Sequence, residues 1–140
     1  MSATSRPPLA DTGPREAERV AAIVARFLPA ALAPFFDARF TRSHLLFDEY
    51  VYRLTVQVAR EIGLDRAIGD WSTAEEIAAR SGLDARSSGV PVGWMLRHLA
   101  GRGALARQDG PGGPRFQAVG GLPPVEAAST LAEQRAHDAG

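Results

Sequence analysis

The fold is decided by residues 72–119. The first stretch reads Ser72-Thr73-Ala74-Glu75-Glu76-Ile77-Ala78-Ala79-Arg80-Ser81-Gly82-Leu83. Ser72 and Glu75 have the spacing of a capping box, in which each side chain satisfies the other's end of a helix start. The helix so opened runs from about Thr73 to Arg80, buries Ile77 and Ala78, and stops at Ser81-Gly82. A second helix is expected over roughly Ser88 to Ala100. Pro91 falls in its first turn, where a missing N–H is tolerated, and Val92, Met95, Leu96 and Leu99 face the core. Gly101 and Gly103 end it. Ala104 to Arg107 reads as a short strand, Asp109 to Pro114 as a turn, and Arg115 to Val119 as a returning strand. Helix, turn, helix and β-hairpin, in that order, specify a winged helix-turn-helix.

Working outward, residues 43–62 carry Leu46, Phe47, Tyr50, Val51, Leu54, Val58 and Ile62 at helical spacing. Ser43 is placed to cap the start, and Gly63 the end. A short helical piece follows at Asp65 to Ile68. Upstream, Val20, Ile23, Val24, Phe27 and Leu28 mark an amphipathic helix beginning at Arg15. Pro29 and Pro34 then reduce Ala30 to Phe36 to a turn or a kinked piece. Residues 1–14 are rich in proline and poor in core-forming side chains, which predicts a flexible tail. Downstream of the hairpin, Gly120-Gly121 and Pro123-Pro124 precede a last helix, Val125 to about His137, carrying Ala128, Leu131, Ala132 and Arg135. The expected organisation is a tail (1–14), N-terminal helices (15–69), a winged helix-turn-helix (70–120) and a linker helix (121–140). The fold class is mainly α with a small two-stranded wing.

Composition narrows the functions. Of 140 residues, 45% are hydrophobic and 23% charged, an ordinary balance for a globular protein. Sixteen basic residues, all of them Arg, cancel sixteen acids, so no net field draws the chain to polyanions. The chain has no cysteine, which excludes thiolate chemistry and Cys-ligated zinc. No apolar run reaches the ~18 residues of a membrane span, no secretory signal is legible, and a cytoplasmic location without membrane partners is expected.

Candidate motifs are mostly explained by structure. Gly101 to Ala106 has G-x-G-x-x-A spacing, but it follows a helix and precedes a strand, the reverse of a nucleotide loop. Gly110 to Pro114 lacks the Lys and the following helix of a phosphate loop. His44 and Asp48, four apart on one helix, suit a base and its orienting carboxylate, yet no nucleophile is placed beside them. His98 and His137 stand apart from one another, so no catalytic, cofactor-binding or metal-ligating residue is assigned. The aromatic set Phe35, Phe36, Phe40, Phe47, Tyr50 and Tyr52 reads first as core. It exceeds what so small a core needs, and Phe36, Phe40, Phe47 and Tyr50 are the best candidates for a substrate-facing wall.

A winged helix raises the question of DNA. The stretch Ser87 to Trp94, which would enter the groove, offers hydroxyls and no Arg, Lys, Asn or Gln. Residues 70–120 hold six Arg against five acids, too small an excess for phosphate attraction. No nucleic-acid partner is expected.

The runs Val56 to Asp65, Ser72 to Leu83 and Trp94 to Arg107, with Leu122-Pro123-Pro124 and the helix after it, resemble the N-terminal region of S-adenosylmethionine-dependent small-molecule methyltransferases of bacterial natural-product pathways. That family shows a helix ending in E-L-G-L, a T-x-x-E-L-A helix and an L-L-R-x-L-x-x-x-G-L-L helix-to-strand in this order. The resemblance covers about residues 40–138. It implies a non-catalytic domain that caps a substrate pocket, mediates homodimerisation, or both. S-adenosylmethionine would be held by a separate C-terminal Rossmann-like domain that these residues do not include. Two alternatives stay open: a winged-helix transcriptional regulator, and a free-standing adaptor or ligand-binding protein.

Overall fold

The structure is a computed structural model describing residues 14–140; the expected tail, 1–14, falls almost wholly outside them. Six helices and one hairpin follow in order: α1 (Pro14–Phe27), a 3₁₀ turn (Ala33–Phe35), α2 (Ala38–Glu61), α3 (Leu64–Ala67), α4 (Ala74–Arg80), α5 (Ala85–Gly101), β1 (Leu105–Gly110), β2 (Gly113–Ala118) and α6 (Ala127–Ala139). The chain divides into two compact units, residues 1–42 and 43–140.

In the first unit, Pro29 ends α1 and Pro34 enters the 3₁₀ turn, as a fixed φ and a missing donor require. The placements of Val20 and Val24 on the apolar stripe of α1 lie outside the described side chains. Ile23 and Phe27 are exposed, and Leu28 is half-buried. Helix α2 begins more than a turn before the expected Ser43. Asp37 is the residue that caps it, its Oδ1 accepting from the Phe40 N–H at 2.8 Å. Ser43 is one full turn inside the helix and cannot cap it.

The second unit is built on a core of Val56, Ala59, Leu64, Ile77, Ala78, Val92, Leu96, Leu99, Leu105 and Phe116. The face that α2 buries is Leu46, Thr55, Val56 and Ala59. This corrects the expected face, because Phe47 and Leu54 are exposed and Tyr50, Val51, Val58 and Ile62 are only half-buried. The buried face thus includes the small residues Thr55 and Ala59, and the larger side chains remain on the flank.

Helix α4 starts one residue later than the expected box. Thr73, not Ser72, is the N-cap: its Oγ1 accepts from the Glu76 N–H at 3.3 Å, and Glu76 accepts from the Thr73 N–H at 2.8 Å. Ser72 is otherwise engaged. Its N–H and C=O pair with Phe116 on β2 at 3.0 and 2.9 Å, an isolated antiparallel bridge that lengthens the hairpin by a third short segment. Helices α4 and α5 end alike. Gly82 and Gly103 adopt φ 78°, and the next residues, Leu83 and Ala104, donate back to Ala78 and Leu99 at 3.0 and 2.9 Å.

Helix α5 is capped by Asp84, whose side chain accepts from the Arg86 N–H at 3.1 Å. It starts at Ala85, which places Pro91 in the interior and not in the first turn. The Ser87 carbonyl there has no N–H four residues on. Strands β1 and β2 pair antiparallel from Leu105↔Ala118 to Gly110↔Gly113, so the turn is the two residues Pro111-Gly112, tighter than expected. Helix α6 begins two residues after Val125. It lies antiparallel to α2: Ser43 bonds Asp138 and Gln134 at 2.9 and 2.7 Å, and Arg53 reaches Ser129 at 3.5 Å. Its packed face is Ala127, Thr130, Leu131 and Gln134, while Ala128, Ala132 and Arg135 are exposed.

Candidate functional site

The four aromatics of the expected substrate wall fall in both compact units. Phe36 and Phe40 lie in the first, edge to face, with ring centroids 4.8 Å apart at 60°. They remain 52% and 46% exposed, beside Phe27 at 77% and Phe35 at 68%. Phe47 and Tyr50 lie in the second unit on α2. Phe47 is exposed and Tyr50 half-buried. On α2 the half-exposed residues Phe47, Val51, Leu54 and Val58 recur at steps of four and three, one apolar stripe along the flank of the second unit.

The densest side-chain cluster joins α2 to the C-terminal half of α5. Arg102, the C-cap of α5, donates from Nη1 to Asp48 Oδ2 at 2.5 Å and from Nη2 to Glu49 Oε2. Glu49 also accepts from Arg53 Nε at 2.8 Å. Partial burial raises the Glu49 pKa, but the hydrogen bonds and charges of Arg53 and Arg102 outweigh it, and the carboxyl is held below its ordinary 4.5. The Arg102 guanidinium also lies 4.5 Å over the Tyr52 ring. The Tyr52 ring tilts against His98 at 6.4 Å, and His98 stacks on Trp94 at 5.2 Å with their planes 4° apart. His98 Nε2 is buried and has no hydrogen-bond partner among the described residues. Trp94, His98 and Arg102 are successive i, i+4 neighbours on α5, which is why one helix can build this ladder.

These contacts settle several sequence motifs. Asp48, four residues from His44, is bound through Oδ2 to the Arg102 guanidinium. Gly101 to Ala106 is a helix end followed by a strand, with Gly103 in the terminating turn. Sequence reasoning missed the ladder, although the four-residue spacing of Trp94, His98 and Arg102 is its visible signal.

Other openings are shallow. One cleft, about 650 Å³, is lined by Ile62, Gly63, Arg66, Ala67, Gly69 and Arg80. Among the described residues no cluster of His, Asp and Glu could hold a metal ion, and no helix is long and apolar enough to cross a membrane. No protein-family model matches the chain, and no characterised relative is found.

Proposed function

We propose that the chain is a non-catalytic helical domain that caps the substrate pocket and mediates assembly of an S-adenosylmethionine-dependent methyltransferase acting on a small molecule. A separate catalytic domain would hold the cofactor. The observation that carries this reading is the apolar surface left uncovered. Ile23, Phe27, Leu32, Phe35, Phe36 and Phe40 in the first unit are each between 46% and 77% exposed. At roughly 150–250 Å² per aromatic side chain, the four Phe alone present on the order of 350–600 Å². Exposed apolar surface on that scale is often where a protein or ligand binds. The flank of α2 adds its own apolar stripe in the second unit.

The order of helices, hairpin and helix-ending turns, together with the resemblance in residues 40–138, supports the methyltransferase half of the reading. A DNA-reading role draws little support from α5, whose outward residues Arg86, Val90, Pro91, Trp94 and Arg97 include only two cations.

Light scattering on the purified chain across micromolar concentrations is expected to show self-association that Phe27→Ser with Phe36→Ser abolishes. Calorimetry with S-adenosylmethionine is expected to give no binding heat. A strict monomer with micromolar cofactor affinity overturns the reading. The gene tests the other half: a methyltransferase catalytic unit, fused or encoded alongside, is expected, and its absence from the locus also overturns the reading.

A further inference from the structure

Helix α5 holds two residues, one turn apart, that can each serve as its start. The N-cap in the structure is Asp84, whose carboxylate accepts from the Arg86 N–H at 3.1 Å and from the Ser87 hydroxyl at 3.0 Å. Four residues later stands Ser88, which is also a preferred N-cap type. A helix opened by Ser88 carries Pro91 in its first turn, where a missing N–H is tolerated. In the helix opened by Asp84 the same proline lies in the interior and leaves the Ser87 carbonyl without its donor.

Little holds the extra turn in place. The buried residues of α5 are Val92, Gly93, Leu96 and Leu99, all beyond Pro91, and none of residues 85–91 is buried. The hydrogen bonds that Arg86 and Ser87 donate to Asp84 are exposed to water. Ser87, Ser88 and Gly89 all favour a helix less than alanine does. Both ends of the segment are firm. Leu83 donates to the Ala78 carbonyl at 3.0 Å and packs on the core, and Val92 is fully within it. Where α5 touches α4, a Cβ on Gly89 would stand 3.6 Å from Glu75, and one on Gly93 3.6 Å from Ala74. Both glycines belong equally to a helix that starts at Ser88. Moving the start by one turn therefore gives up no buried side chain.

We propose that α5 is a two-length helix, with a long form capped by Asp84 and a short form capped by Ser88. Residues 85–87 unwind in the short form, and the link after α4 grows from four residues, 81–84, to seven, 81–87. Pro91 sets the balance, because it penalises the long form and suits the short one. The switch changes what the corner between α4 and α5 displays. Arg86 stands on a helix in the long form and in a loop in the short one, so a molecule that contacts this corner in one form draws the chain towards it. This inference is independent of the methyltransferase reading.

Amide hydrogen exchange and Cα chemical shifts, measured by NMR on the whole chain, test it. The Ser88, Gly89 and Val90 amides lose their helical acceptors in the short form, whereas those beyond Pro91 keep theirs. The three are expected to share one protection factor, about a hundredfold or more below Leu96 and Leu99, with the step at Pro91. Phe116→Leu, which loosens the core, should lower protection at Leu96 and leave the three unchanged. Asp84→Ala should lower the three about fivefold and move the Cα shifts of residues 85–87 towards coil values. Pro91→Ala should raise them at least about tenfold. Protection that climbs evenly from Ser88 to Leu96, that falls together with the core in Phe116→Leu, or that ignores Asp84→Ala and Pro91→Ala each overturns the proposal. Loss of helical shifts along the whole of α5 in Asp84→Ala overturns it as well.

Discussion

Arg102 satisfies three neighbours at once: Asp48, Glu49 and the face of Tyr52. Replacing it with Met keeps the packing stem but removes the charge and both hydrogen bonds. At neutral pH this should lower stability by about 1–2 kcal/mol, tempered by the partial exposure of all three side chains. Glu49 gives the same strut a pH signature. Its folded pKa lies below its ordinary value, so its contribution is complete above about pH 4.5 and is lost as pH falls through the depressed folded value. Urea midpoints measured from pH 7 to pH 3 should therefore fall on the acid side in the native chain. Glu49→Gln should flatten that acid limb, and the penalty of Arg102→Met should shrink along it. An unchanged acid limb in Glu49→Gln would assign the pH dependence elsewhere. The strut could have been anticipated from spacing within each helix. Which acids on α2 it meets could not, because the rotation of α2 about its axis is set by packing.

At the scale of elements, the sequence was most legible where local chemistry is complete in itself. The ends of α4 and α5, the hairpin and the turn at Gly63 all fall within a few residues of their expected places. It was least legible where two local solutions compete. Ser72-x-x-Glu75 and Thr73-x-x-Glu76 are equally good capping boxes, and the choice falls to Thr73 because the Ser72 backbone is paired with Phe116, 44 residues away. Thr73→Ala should accordingly cost about 1 kcal/mol, measurable by thermal denaturation. The rotation of α2 was misread for a related reason. Its largest apolar side chains are regularly spaced, but the face the core takes is Leu46, Thr55, Val56 and Ala59. Pro91 was expected in a first turn and lies two turns in, where it removes a hydrogen bond to the Ser87 carbonyl. Pro91→Ala should raise stability by roughly 1–3 kcal/mol, since an interior proline costs about 3 kcal/mol relative to alanine. A lower melting temperature in that variant would mean that the packing of the proline ring outweighs the restored hydrogen bond.

For the whole molecule, the second unit depends on Phe116. Its side chain is fully buried at the centre of the core, and its backbone ties β2 to the segment that opens α4. Phe116→Ala should cost about 3–5 kcal/mol, comparable to the entire stability of a small domain, and circular dichroism should show loss of the cooperative transition. Phe116→Leu, nearer in volume, should keep it. The exposure of Phe36, Phe40 and Phe47 agrees with the apolar surplus that the sequence shows, and their placement in two units is what composition cannot give. The bridge between Ser72 and Phe116 also bears on synthesis. A nascent chain whose residue 116 has not yet emerged from the ribosome has nothing to pin the start of α4 or to fill the space between α4 and α5. Productive closure must wait until β2 has emerged, and until then the apolar sides of α4 and α5 stay open to chaperones.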